Sequence, residues 1–211
     1  MTVRRFDIPS RVPVSRLREI ASLSDAAYTL IYTNPMELKW VDLGLERMLQ
    51  VASYTGAAML YADHFRSEEG GVFPHPLIDL QEGALRDDFD FGGVQLYRTD
   101  ALRTAVAQMD EDYEYAGLYD LRLRVSRLGR IVHINEFLYY EVELDTRKSG
   151  EKLFDYVDPR NRAVQIEMEK ACTAHLKAVG GYLRPEFKSV DLSGGGDFEH
   201  EASVVIPFRN R

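Results

Sequence analysis

The chain has 211 residues, 45% of them hydrophobic and 28% charged, which is an ordinary soluble composition and enough chain for one domain with a sizeable core. A formal net charge of −8 argues against a nucleic-acid partner, since such proteins carry a basic stripe. The single cysteine, Cys172, excludes an internal disulfide and a cysteine metal cluster. No apolar run approaches the roughly 20 residues that span a bilayer, and no signal-type apolar region follows Met1, so the expected location is the cytoplasm.

In chain order, residues 2–8 read as a short strand, after which Pro9 and Pro13 interrupt regular structure. Val14, Leu17, Ile20 and Ala21 fall at helical spacing and predict an amphipathic helix over 14–23. Residues 27–33 are a β-rich run that predicts a buried strand, ended by the turn pair Asn34-Pro35. A second helical stripe, Leu45, Met48, Leu49 and Ala52, predicts a helix over 42–53 with Gly56 as its stop. Residues 57–62 form the next buried strand, closing at Asp63-His64, and 64–84, with Gly70-Gly71, Pro74 and Pro76, read as a surface excursion.

The stretch 85–144 organises the rest. Gly92–Arg98 reads as a strand, and Thr99 as the cap of a helix reaching about Met109. An acidic turn follows, Asp110-Glu111-Asp112, then a helix over 118–127 closed by Gly129, then two strands over 130–134 and 137–144. Residues 146–155 are a polar loop carrying Arg147, Lys148 and Lys152. Asp158-Pro159 opens the longest helix as N-cap and N1, with an apolar stripe through Val164, Met168, Cys172 and Val179, and Gly180-Gly181 ends it. Residues 182–201, with Ser193-Gly-Gly-Gly196, read as a linker, and Ala202–Arg211 reads as an apolar strand of the kind that opens a domain. Strands alternating with helices predict an α/β fold with a mostly parallel sheet covered on both faces.

Three of these stretches resemble family 2 glycosyltransferases of the GT-A fold. Asp120-Leu-Arg-Leu-Arg124, continuing through Gly129 to Phe137-Leu-Tyr139, looks like the helix and strand that follow the family's catalytic acid. Phe89–Leu102 looks like the strand and helix before it, and Ala202–Arg211, with Pro207 and Asn210, looks like the family's opening strand. The resemblance implies a GT-A-like domain over 1–181 with a shortened nucleotide-binding end, a linker over 182–201, and the opening strand of a following GT-A domain at 202–211. An alternative has that strand adding to a sheet edge, its own or that of a second copy in a swapped homodimer.

The resemblance also implies a nucleotide-sugar donor, a glycan acceptor, and manganese or magnesium on the donor diphosphate in the full protein. The family's metal-binding acidic motif would fall at Tyr32-Thr33-Asn34-Pro35, where no carboxylate is present. Thr33 and Asn34, with Arg147 and Lys148 from the basic loop, are the residues left to meet the nucleotide. The family's general base would fall at Gly117-Leu118, so the candidate catalytic carboxylates are Asp112, moved in from the acidic turn, and Asp120. The bland readings stand beside these: a strand-ending turn at Asn34-Pro35, a solvated acidic turn, and helix N-terminal charge at Asp120.

Asp63 and His64 point to opposite faces of a strand and do not share a metal ion. His133, alternating with apolar neighbours, reads as a satisfied sheet histidine. Tyr139 and Tyr140 offer sugar stacking or core packing, Trp40 a packing contact ahead of a helix, and Cys172 a small core residue. Three hypotheses follow: a glycosyltransferase module that contributes to sugar transfer, a GT-A-like module degenerate at its own donor site and serving as a non-catalytic scaffold or acceptor- or partner-binding domain, and an unrelated α/β ligand binder.

Overall fold

A computed structural model describes residues 2–68, 71–81, 83–142 and 161–189. The chain divides into two units, Met1–Gly181 and Tyr182–Arg211. In the second unit, residues 182–189 are described and contain neither helix nor strand. The expectations for Arg147, Lys148, Lys152, Asp158-Pro159, the glycine-rich stretch and the strand 202–211 lie outside the described residues.

The first unit runs β1 (Val3–Asp7), α1 (Val14–Leu23), β2 (Tyr28–Tyr32), β3 (Lys39–Trp40), α2 (Gly44–Thr55), β4 (Met59–Glu68), β5 (Gly71–His75), β6 (Val94–Arg98), α3 (Thr99–Ala107), α4 (Gly117–Leu128), β7 (Ile131–Val142) and α5 (Arg162–Ala178). The seven strands form one sheet in the order β1-β2-β6-β4-β7-β3, with β5 paired to β4. The α/β class holds, but the sheet is mixed rather than mostly parallel: β1/β2 and β4/β7 are parallel, and the other four pairings among the described strands are antiparallel. Strand direction follows the path of the chain between strands, and the hydrophobic run of a buried strand carries no sign of it.

Alternation along the strands builds a core on each face. Ile31, Met59, Tyr61 and Tyr97 face one layer, where Leu17 and Ile20 of α1, Leu102 and Ala105 of α3, and Leu121 and Val125 of α4 cover them. Leu30, Leu60, Ala62, Val94 and Leu96 face the other, closed by Met48 and Ala52 of α2. The stripe read in the sequence for α1 is its buried face: Val14, Leu17, Ile20 and Ala21.

Three local expectations need correction. Thr99 is the first helical residue of α3 and not its cap, and its hydroxyl instead meets that of Thr29 at 2.9 Å inside the core. Residues 64–84 are not wholly a surface excursion, because β4 continues to Glu68 and turns back as β5. Pro74 is tolerated there because, among the described strands, β5 pairs only with β4. The two strands expected over 130–144 are one strand, β7, with register shifts opposite Ala62, Asp63 and His64. At this irregularity Glu136 faces α2 and accepts from Arg47 at 2.6 Å, while Leu138 O takes the Val41 N–H at 3.0 Å.

Candidate functional site

β1, β2, β4 and β7 all end at the same edge of the sheet, and β6 begins there. In an α/β sheet this edge is where ligands are bound. It gathers Tyr32 at the end of β2, Thr33 and Asn34 after it, His64 on β4, Gly92 and Gly93 before β6, and Tyr139 and Glu141 on β7.

Asn34 sits at the centre. Its side-chain amide donates to Glu141 Oε1 at 3.1 Å and to the Val142 carbonyl at 3.0 Å, and its Oδ1 accepts the Met36 N–H at 3.0 Å. Both polar atoms of the side chain are thus committed to holding the turn after β2 against the end of β7. The other oxygen of Glu141 accepts the Gly93 N–H at 2.9 Å, and Gly93 O accepts the Thr33 N–H at 2.8 Å. The result is a closed ring of hydrogen bonds joining β2, β6 and β7. Gly92 makes the close approach possible: its φ is +64°, and a Cβ there would lie 2.2 Å from the Tyr139 hydroxyl.

On the same side, His64 stacks on Tyr139 with ring centroids 5.1 Å apart, and its Nε2 lies 3.6 Å from Glu141 Oε2. Burial holds the His64 pKa below its ordinary value, with Glu141 acting against this. His75, from β5, lies 4.7 Å from the His64 ring, and its Nε2 is 3.0 Å from Asp90 Oδ2. Burial pushes the Asp90 carboxyl up, but the hydrogen bonds from His75 and from the Gly92 N–H outweigh it and hold the pKa below the usual value. The Tyr32 hydroxyl is buried without a hydrogen-bond partner among the described residues, and desolvation pushes its pKa up to about 12.

Asp63 and His64 do point to opposite faces. Asp63 Oδ1 accepts the Leu77 N–H at 2.7 Å and lies 2.8 Å from His133 Nε2. His133 Nδ1 is 2.9 Å from Asp79 Oδ1, and its ring stacks on Tyr61 at 4.8 Å. The Tyr61 hydroxyl donates to Ile78 O and accepts from Leu80 N–H. These bonds fasten segment 77–80 over β4, so His133 is a satisfied histidine. Tyr139 is fully buried and meets Trp40 of β3 edge-on at 6.0 Å, whereas Tyr140 is 36% exposed and stacks on Phe65 at 5.2 Å. Cys172 is partly buried against the helical core.

The candidate carboxylates lie elsewhere. Asp112 is exposed and pairs with Arg18 of α1. Asp120 is buried in α4, where its Oδ2 accepts from Arg124 Nε at 2.8 Å. Burial pushes the Asp120 pKa up despite Arg124. The turn that leads into α4 is held by a carboxylate from a distant helix: Glu167 of α5 accepts the N–H groups of Glu114, Tyr115 and Ala116 at 2.7 to 3.1 Å. Neither Asp112 nor Asp120 shares a hydrogen bond or ion pair with Asn34 or Glu141.

The residues at the strand ends do not fit a divalent ion. Each oxygen of Glu141, the carboxylate bonded to Asn34, already accepts an N–H, and no group of three His, Cys, Asp or Glu among the described residues is placed to hold a metal. Sequence reasoning missed Glu141, His75, Asp79, Asp90 and Glu167. The partial alternation along β7 and the Pro74-His75-Pro76 run were the available signals for Glu141 and His75; the others show their role only through long-range contacts.

No family model matches the sequence, and no curated protein matches it. A similar solved structure is that of S. aureus TarS 1–349 in complex with UDP-GlcNAc, a glycosyltransferase, with a TM-score of 0.50 and 12% identity. The likeness covers 74% of this chain and 44% of that one, so the chain spans less than half the length of the protein it matches. Among the described residues no helix is long and apolar enough to cross a membrane. A mixed, curled sheet flanked by helices and similar to TarS gives the chain a glycosyltransferase-like fold.

Proposed function

We propose that this chain is part of a nucleotide-sugar-dependent glycosyltransferase of the family 2 type, and that this module is degenerate at its own donor site. The fold and the ordered motifs support the first half. The observation that carries the second is Asn34, whose amide and carbonyl oxygen are spent on Glu141, Val142 and Met36. The side chain at the position of the family's metal-binding motif thus closes a strand end. Asp120 stabilises α4 internally through Arg124. A nucleotide-sugar, its manganese or magnesium ion and the transfer step then belong to the rest of the protein, beginning with the domain expected after Ala202. Titration calorimetry with uridine and guanosine diphosphates, with and without manganese, tests this. The expected result is no metal-dependent binding by this chain; saturable, manganese-dependent binding would overturn the degenerate reading.

A second role, acceptor-glycan binding, is favoured by one feature. Phe65 stacks on both Phe137, at 5.0 Å, and Tyr140, at 5.2 Å, forming a partly exposed aromatic group near the same edge of the sheet. Such rings offer an apolar face to a sugar. Loss of oligosaccharide binding in Tyr140→Ala, with the melting temperature held, is the expected outcome; undiminished binding would remove this role.

A further inference from the structure

At the opposite end of the sheet lies a cleft of about 900 Å³, between Leu80, Gln81 and residues 83–85, the C-terminal half of α4 and the C-terminal half of α5. It is within the size range of sites for small organic ligands. Leu80, Leu85, Leu123 and Val179 supply an apolar wall, and Arg122, Arg127, Arg130 and His175 supply the polar one. No carboxylate lines it among the described residues, in a protein of net charge −8.

Two of its lining side chains are incomplete. Arg122 is 4% exposed. Its Nη2 donates to the Arg86 carbonyl at 3.0 Å, and its guanidinium lies over the rings of Tyr119 and Phe91, 4.9 and 5.7 Å from their centroids. Its Nη1 is buried with no hydrogen-bond partner among the described residues. His175 Nδ1 is likewise buried and unpartnered. A buried donor left unpaired costs about 1–3 kcal/mol, and more for a charged group. An unpaired charged donor at the wall of a cleft, with an unpaired ring nitrogen on a second lining residue, marks a place where a ligand supplies what the fold withholds. Burial depresses the basicity of both, and in His175 the positive charges of Arg127 and Arg122 add to that, against the Leu123 backbone and, more weakly, Asp120.

We propose that this cleft binds a small organic anion, with a phosphate or carboxylate head accepting from Arg122 Nη1 beside His175 and an apolar body of several carbons against Leu80, Leu85 and Val179. The site is independent of the proposed function. Arg130 and Ile131 lie at the start of β7 and Glu141 near its end, roughly 30 Å away at the rise of an extended strand.

Calorimetry with hexyl phosphate, hexanoate and inorganic phosphate tests the site, with NMR titration of His175. The expected result is saturable binding of at least one organic anion, at least about tenfold tighter than inorganic phosphate because the chain buries apolar area. The preferred head is the one that binds tighter. Binding should weaken at least about tenfold in Arg122→Met, as fits loss of a charged hydrogen bond. The His175 pKa should rise on binding. Ser126 lines the cleft and is exposed, so Ser126→Trp should block binding with the melting temperature unchanged. That variant decides the matter if Arg122→Met does not fold. No saturable binding of either organic anion, equal affinity for inorganic phosphate, or binding indifferent to Ser126→Trp would overturn the proposal. None of these outcomes bears on the nucleotide titration at the other end of the sheet.

Discussion

The side-chain amide of Asn34 donates to the carboxylate of Glu141 at 3.1 Å, across 107 positions of sequence. The bond ties the end of β2 to the end of β7. Asn34→Ala removes it together with the bonds to Val142 O and Met36 N, and leaves Glu141 half satisfied. The expected cost is about 1–3 kcal/mol in urea unfolding. Glu141→Gln keeps an acceptor for one of its two donors and should cost less. Equal stability of Asn34→Ala and the wild type would show that the ring of bonds does not hold this edge together.

Gly92 and Gly56 separate backbone strain from crowding. Both have positive φ, +64° and +60°, but a Cβ at Gly56 meets nothing within 4 Å, whereas one at Gly92 would meet Tyr139 at 2.2 Å and His64 at 3.1 Å. Gly56→Ala should cost about 1 kcal/mol, the left-handed penalty alone. Gly92→Ala should cost roughly 2–4 kcal/mol, since a fully buried tyrosine must also move. Thermal unfolding of the two variants side by side measures the difference.

The two candidate carboxylates are expected to behave oppositely. Asp120→Ala leaves Arg124 buried without its carboxylate, with the Gln108 carbonyl as a remaining acceptor, and should destabilise the fold by about 3–5 kcal/mol. Asp112, exposed beside Arg18, should change stability by less than about 1 kcal/mol when replaced by alanine. A stable Asp120→Ala variant with altered sugar transfer in the whole protein would reassign Asp120 to catalysis.

His64 and His175 both have pKa values depressed by burial. The unfolded chain therefore binds protons that the folded chain refuses. Their contribution to stability is complete above the ordinary histidine value of 6.5 and is lost as pH falls through the depressed folded values. Urea unfolding should show lower stability at pH 5 than at pH 7.5. The slope should flatten in a His64→Gln, His175→Gln variant, and an unchanged slope would assign the pH dependence to other groups.

Much of the scaffold was legible because local patterns dictate it. The stripe Val14, Leu17, Ile20 and Ala21 can be buried only as a helix, and Gly56 ends α2 in the left-handed conformation that glycine accepts. The opposed faces of Asp63 and His64 follow from the pleat. What the sequence hid is what distant chain supplies. The carboxylate that holds the turn before α4 comes from Glu167, 51 residues from Ala116. The partner of Asn34 comes from Glu141, which alternation marks only as polar. The sheet is mixed because the direction of each strand depends on the excursions between strands. The site is harder to read than the fold for the same reason: an asparagine in a turn looks alike whether it faces a ligand or another strand.

The most direct measurement is a manganese-broadening NMR titration of the whole chain in the presence of uridine diphosphate, following the Asn34 side-chain amide and the Gly93 N–H. Unaffected signals from both are expected if hydrogen bonds to Glu141 have replaced the donor-phosphate site. Selective broadening of these two resonances, dependent on the nucleotide, would contradict the account and place a working donor site at this edge of the sheet.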